Sequence, residues 1–273
     1  VDAYQTLVIE QPVPGVLLAT LNRPGRLNAM TFTMFDELAR LRRRVAADPE
    51  IRVLVITGAG RGFCSGLDLD QAALLPGMSA AEMLARQESW AAAIAGFRTL
   101  PTPVIAAVNG PAAGAGLSLA LAADIRLAAP TARFNAAFVR IGLSGGDVGS
   151  SWLLPRLVGF GIASELLLTG RFVEADEALG IGLVNRVVPG ERLLPAALDM
   201  AGEIVRNSPL GVRLTKQVLQ ANVDAPSLEA AIELENRNQV LATRGADMVE
   251  ALAAFREKRA PRFTGCRPPD RYT

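Results

Sequence analysis

Residues 104–124 read V-I-A-A-V-N-G-P-A-A-G-A-G-L-S-L-A-L-A-A-D. The five apolar residues from Val104 to Val108 have the length and texture of a buried strand. Asn109, Gly110 and Pro111 break it. Gly114, Ala115 and Gly116 carry no bulky side chain, so another group is able to approach the backbone closely. From Ala115 to Ala123 only Ser118 is polar, which predicts a helix buried nearly all round. A strand feeding a small-residue turn and then a helix start presents unpaired N–H groups at the positive end of the helix dipole. Such a turn suits a negative charge developing on oxygen. It is equally compatible with a tight strand-to-helix connection packed in a core.

Working outward, a second stretch has the same form. Residues 51–57, with V-L-V-I at their centre, predict a strand apolar on both faces. Directly after it runs G-A-G-R-G-F-C-S-G-L-D-L, residues 58–69. The glycine spacing is not that of a dinucleotide fold, and no Lys-Ser or Lys-Thr follows to make a phosphate loop. What remains is another loop of exposed backbone after a buried strand. If the two strands are neighbours, the loops 58–68 and 109–116 converge, and each has one N–H to give to a shared oxygen.

The rest of the chain surrounds these two units. Residues 7–9 and 16–21 predict two strands about a turn at 12–15, followed by a loop at 22–25. Thr31 caps a predicted helix over 32–46, with Met34, Phe35, Leu38 and Leu41 at helical spacing. Segment 76–79 reads as a mobile loop before a helix over 80–97. A strand over 125–129 and an extended piece over 131–134 precede A-A-F-V-R-I-G-L-S-G-G-D-V-G-S-S-W-L-L-P-R-L-V-G, residues 136–159. Asp147 stands there among glycines before a helix expected to start near Gly149, where it is also a candidate helix cap. A last strand is expected over 184–188. Helices follow over 193–205, 209–220, 227–242 and 246–255. The composition shift near 190 divides an α/β core, residues 1–190, from a helical region, residues 191–273.

Composition bounds the chemistry. Half of the 273 residues are hydrophobic and the net charge is +1, with acids and bases mixed along the chain, so neither nucleic acid nor an anionic membrane is an expected partner. No apolar run reaches the length of a spanning helix, and the N-terminal residues lack a signal-peptide layout. With two distant cysteines, Cys64 and Cys266, a reduced cytoplasmic protein is expected. There is no histidine, which removes His-based triads, His-ligated metals and the commonest general base. Acid–base chemistry falls to a carboxylate, Tyr, Cys or water.

Taken together, L-N-R-P-G-R-L-N-A-M (21–30), G-R-G-F-C-S-G-L-D-L (60–69), A-A-V-N-G-P-A-A-G-A-G (106–116), the 142–159 stretch and the tail A-F-R-E-K-R-A-P-R-F (254–263) resemble the crotonase family, the enoyl-CoA hydratase/isomerase group. The resemblance runs through essentially the whole chain in one order. It implies an α/β spiral of ββα units with a C-terminal helical trimerisation region, giving a homotrimer or a dimer of trimers. It implies an acyl-CoA thioester as substrate, with CoA as part of that substrate and no separate cofactor or metal. Carried over by motif, the two oxyanion N–H groups fall on Leu67 and Ala115. Asp68 resembles a structural acid of its motif. CoA contacts are expected from the backbone at Arg26, Leu27 and Asn28 and at Cys64, Ser65 and Gly66, and from Phe255 and Lys258 of the tail, often across a subunit boundary. Without the family, Phe255 reads as core and Lys258 as a solvated charge.

The departures from the family pattern bear on the reaction. The two glutamates of a family hydratase align with Ser118 and Phe138. Phenylalanine moves no proton, and an unperturbed hydroxyl is a poor base. Asp147 lies twelve residues before Gly159 and so matches the aspartate of dienoyl-CoA and epoxyphenylacetyl-CoA-type isomerases, with one extra residue after Gly142. The expected activity is therefore a double-bond shift by a single-carboxylate shuttle at Asp147. The alternatives are hydration or another acyl-CoA lyase or hydrolase reaction, with water placed by Ser118 or Asp147, and an acyl-CoA-binding protein without turnover. Acyl-chain length depends on residues 77–88. Trp90 and Trp152 are candidates for the acyl pocket, though such aromatics are more often core.

Overall fold

The computed structural model describes residues 4–264. Cys266 lies outside the described residues. The chain opens with a hairpin, β1 (Leu7–Val13) and β2 (Val16–Leu21), paired antiparallel. α1 (Phe32–Ala47) starts where the Thr31 side chain accepts from Met34 N, as expected, and buries Met34, Phe35, Leu38, Leu41 and Val45 along one stripe. It crosses over to β3 (Val53–Gly58), which lies parallel to β2. Two helices follow, α2 (Leu69–Ala72) and α3 (Ala80–Ala95). The segment expected as a loop at 76–79 holds part of a 3-10 turn, Leu75–Gly77, and the Ser79 half of a reciprocal Ser79–Glu82 capping box at the start of α3.

β4 (Val104–Val108) pairs in parallel with β3, from Leu54 opposite Val104 to Thr57 opposite Ala107. The chain continues through β5 (Ala112–Ala113), α4 (Ala115–Ala122), β6 (Ile125–Ala128), β7 (Arg133–Asn135), α5 (Ser150–Val158), α6 (Phe160–Thr169), β8 (Phe172–Glu174), α7 (Ala175–Gly180) and β9 (Arg186–Val187). It ends with α8 (Gly190–Val205), α9 (Pro209–Asn222), α10 (Leu228–Thr243) and α11 (Ala246–Glu257). The large sheet has the order β1-β2-β3-β4-β6-β9, and a small one the order β5-β7-β8.

Alternation along the strands divides the large sheet into two buried faces. Leu54, Ile56, Ala106 and Val108 pack into a core with α1, α3, α4 and α5. Val53, Val55, Ile105 and Ala107 pack against Leu193, Ala197 and Ala201 of α8. This corrects the division at 190: the composition does change where α8 starts, but α8 is the sheet's second layer, so the core runs on to Val205. The helices beyond it are anchored by polar contacts. Lys216 on α9 donates to Thr102 O at 2.9 Å and pairs with Asp124 at 2.6 Å, and Asp224 pairs with Arg156 of α5 at 2.7 Å. Several of their apolar residues, among them Leu228, Val240, Val249 and Phe255, are exposed. Among the described residues, no helix is long and apolar enough to cross a membrane.

Candidate active site

Because β3 and β4 are parallel neighbours, their following loops leave the same edge of the sheet. There the loops are laced together by their main chains. Phe63 N and Cys64 N donate to Pro111 O at 3.1 and 3.0 Å, and Ala113 N donates to Cys64 O at 2.9 Å. On the other side, Met30 N donates to Gly66 O at 2.7 Å and Asp68 N to Met30 O at 2.9 Å. The amides of Asn28 and Asn109 satisfy the carbonyls of Ala59, Gly60 and Gly62. The contact is so close that a Cβ on Gly116 would stand 2.1 Å from Cys64 O.

This lacing uses the N–H groups of Asp68, after Leu67, and of Gly114, before Ala115, but not those of Leu67 and Ala115 themselves. Among the described residues, neither Leu67 N nor Ala115 N donates to a protein acceptor. Ala115 opens α4, and its cap, Gly114, has no side chain to offer. Gly66, at φ +94°, brings the loops together: a Cβ built on it would lie 3.6 Å from Ala115 N. Two unpaired donors thus flank one contact point at a helix N-terminus, an arrangement able to hold a developing oxyanion.

Asp147 lies in the loop before α5, over the first turn of α4. The buried Ser118 hydroxyl, three residues after Ala115, donates weakly to Asp147 O and to Gly114 O, both at 3.4 Å. The Ser150 hydroxyl accepts from Asp147 N at 3.1 Å and donates to Gly145 O at 2.8 Å, which knots the loop. The Asp147 carboxylate accepts from Val148 N at 2.9 Å and from the side-chain amide of Gln87 on α3. Burial pushes its carboxyl above the ordinary value, against the opposing effect of those two donors. Gln87 was not expected here. It stands sixty residues from Asp147 in sequence, and no local pattern marks it.

The two positions aligned with hydratase glutamates are both at this place. Ser118 joins α4 to the Asp147 loop, and the Phe138 ring edge lies 3.7 Å from where a Gly114 Cβ would stand. The Phe138 ring therefore puts an apolar wall where an acid would have reached the turn. Asp68 is a brace, as its motif implied. It caps α2 through Asp70 N at 3.0 Å and pairs with Arg23 at 2.7 Å. Burial alone would raise its carboxyl, but the Arg23 and backbone bonds outweigh that and hold it below the ordinary value.

The residues expected to meet CoA divide. Arg26 ends a 3-10 turn, Leu27 is left-handed at φ +48°, and Ser65 N donates to Leu27 O at 3.0 Å, which brings the first and second stretches together. Asn28 and Cys64 are turned inward instead. Asn28 is fully buried and its side chain bonds Arg23 N, Ala59 O and Gly62 O. Cys64 spends its N–H and C=O within the loop lacing, and burial pushes its thiol up to about 12 despite a bond from the Gly66 backbone. Both shape the site from behind. Phe255 is 84% exposed on α11, not core, and Lys258 caps that helix at φ +55°. The structure does not bring these two to the loops within one chain. Trp90 is core, stacked on Phe32 and Phe35 at 5.2 and 5.3 Å. Trp152 lies under the Arg156 guanidinium at 3.7 Å.

Residues 13–266 match the family model for enoyl-CoA hydratase/isomerase. A probable enoyl-CoA hydratase of Mycobacterium tuberculosis is 44% identical over 263 residues, covering 94% of this chain and 92% of its own length. The 1,2-epoxyphenylacetyl-CoA isomerase of Escherichia coli is 40% identical over 252 residues, covering 92% of this chain and 95% of its own. The crystal structure of an enoyl-CoA hydratase from Bacillus anthracis superposes with a TM-score of 0.90 at 34% identity, covering 96% of this chain and 100% of that one.

Proposed function

The chain belongs to the enoyl-CoA hydratase/isomerase family, and on that premise we propose that it moves a double bond within an acyl-CoA thioester, with Asp147 as the single proton carrier. The thioester carbonyl oxygen accepts from Leu67 N and Ala115 N. Asp147 takes a proton from a carbon conjugated with the carbonyl, and the electron pair passes into the enolate that the two N–H groups stabilise. The same carboxyl returns the proton at a different carbon as the enolate collapses, so atoms and charge balance without water. CoA is part of the substrate, held along the backbone of Arg26, Leu27, Ser65 and Gly66.

The observation that carries this reading is that Ser118, bonded to the Asp147 carbonyl, and Phe138, beside Gly114, stand at the two glutamate positions next to two unpaired N–H groups. One carboxylate suffices for a shuttle, and a two-carboxylate hydration has lost both of its carboxylates here. Hydration with water held by Asp147 or Ser118 is the second reading, favoured by the names of the hydratase relatives. Incubation with 2-enoyl-, 3-enoyl- and dienoyl-CoAs separates the two. Double-bond migration at constant mass supports isomerisation, and gain of one water by 2-enoyl-CoA overturns it in favour of hydration.

We also propose assembly as a homotrimer or a dimer of trimers, which would offer Phe255 and Lys258 to a neighbouring subunit's CoA. Its support is the exposed apolar surface of α9–α11. Light scattering at micromolar concentration tests it, and a monomer there overturns it.

A further inference from the structure

We infer that Gln87 is a positioning residue for Asp147: its amide pins the Oδ1 oxygen and so leaves Oδ2 as the oxygen that carries the proton. The inference rests on the proton-carrier reading of Asp147 given above.

The main chain of the Asp147 loop is held by Ser118 and Ser150, as described. The carboxylate itself is held by two donors only, Gln87 Nε2 and Val148 N, and both bond Oδ1. Among the described residues, Oδ2 accepts nothing from the protein. A proton on Oδ1 would face two N–H donors, so the neutral acid keeps its proton on Oδ2. Two donors on one oxygen also fix the plane of the carboxylate. A loop side chain without them would rotate freely about its last torsion.

The two donors differ in kind. Val148 N is local, and is presented at φ +39°, a left-handed backbone that a β-branched residue adopts only under strain. Gln87 comes from α3, sixty residues away. Its bond ties the acid to a different element from those that carry Leu67 and Ala115. Among the described residues, no charged group competes with it. On α3, Arg86 stacks over Phe32 at 5.0 Å and Glu88 is exposed. α4 carries no charged residue. On α5, Arg156 is engaged by Asp224 and Trp152. Arg140, in the turn before the loop, lies beside Gly170. The Asp147 proton is therefore governed by burial against two N–H donors, of which Gln87 is the replaceable one.

The test is the pH profile of kcat/KM for double-bond migration in wild type, Gln87→Met, Gln87→Glu and Asp147→Asn. Methionine keeps the length and helix propensity of glutamine but donates nothing. The charged carboxylate loses a stabilising donor, so the acid limb moves to higher pH and kcat/KM on that limb falls about 3- to 10-fold. Glutamate places a second carboxylate against Oδ1, the pair shares a proton, and the limb moves further up than in Gln87→Met. KM changes little in both. If Asp147→Asn is inactive while both Gln87 variants keep the wild-type limb, or lose activity uniformly at all pH values, Gln87 does not position the acid. If Asp147→Asn retains turnover, the reading of Asp147 and the inference fall together.

Discussion

On one side of the candidate site stand two main-chain N–H groups, Leu67 and Ala115, set by a lattice of backbone bonds and by glycines with no room for a Cβ. On the other side stands a side chain, Asp147, set by three other side chains, Ser118, Ser150 and Gln87, from three different helices. The first side is indifferent to most substitutions, because its donors belong to the peptide bond. The second is open to change at single positions. In the proposed reaction, stabilising the enolate would fall to the main-chain side and moving the proton to the side-chain side, so a change of reaction would be sought at the second.

The largest expected effect comes from removing the side-chain half. Asp147→Asn lowers double-bond migration about 100- to 10,000-fold and leaves acyl-CoA binding near wild type, measured by turnover and calorimetry. Loss of binding in parallel would show that the halves are not separable. Next is the main-chain half. Gly116→Ala puts a Cβ 2.1 Å from Cys64 O and forces the loops apart. We expect a fall of about 100-fold or more in kcat, with a lower Tm. An unchanged rate would mean that the lacing does not set the donors.

A smaller effect is expected at the brace. Asp68→Ala removes the α2 cap and leaves Arg23 without its partner, at a cost of about 1–3 kcal/mol in denaturant unfolding. The smallest expected effect is on pH-dependent stability. The Asp147 carboxyl, raised by burial, binds its proton more tightly in the folded than in the unfolded chain. Its contribution is present at low pH and is lost as pH rises through the folded value. From the ordinary value of 3.8 upward, Asp147→Asn should therefore gain Tm relative to wild type, while no such gain is expected below it.

Legibility followed the same division. The strands β3 and β4, the loops after them, the helix at Ala115 and the cap at Thr31 were readable, because each rests on local hydrophobic periodicity or on a turn residue. β5 was not, since two residues, Ala112–Ala113, give no alternation to detect. Nor was β8: Phe172–Glu174 becomes a strand only by pairing with β7. Gln87 was hidden for the same reason, because a glutamine in a helix becomes informative only when α3 packs beside the loop. The inward orientation of Asn28 and Cys64 was not readable, being a matter of tertiary packing. α8 looked like the start of a tail because a helix's sequence shows that it has an apolar face, not which surface that face covers.

The burial of Cys64 behind the loops has a practical consequence. Its thiol is held up to about 12, so at neutral pH it offers almost no thiolate, and thiolate is the form that alkylating agents and peroxide attack. With no histidine in the chain, acylating reagents selective for imidazole find no target either. The candidate site should therefore tolerate thiol-directed alkylation and oxidation. A carbodiimide, which attacks carboxyl groups, is the reagent left to inactivate it, and bound substrate should protect against that loss.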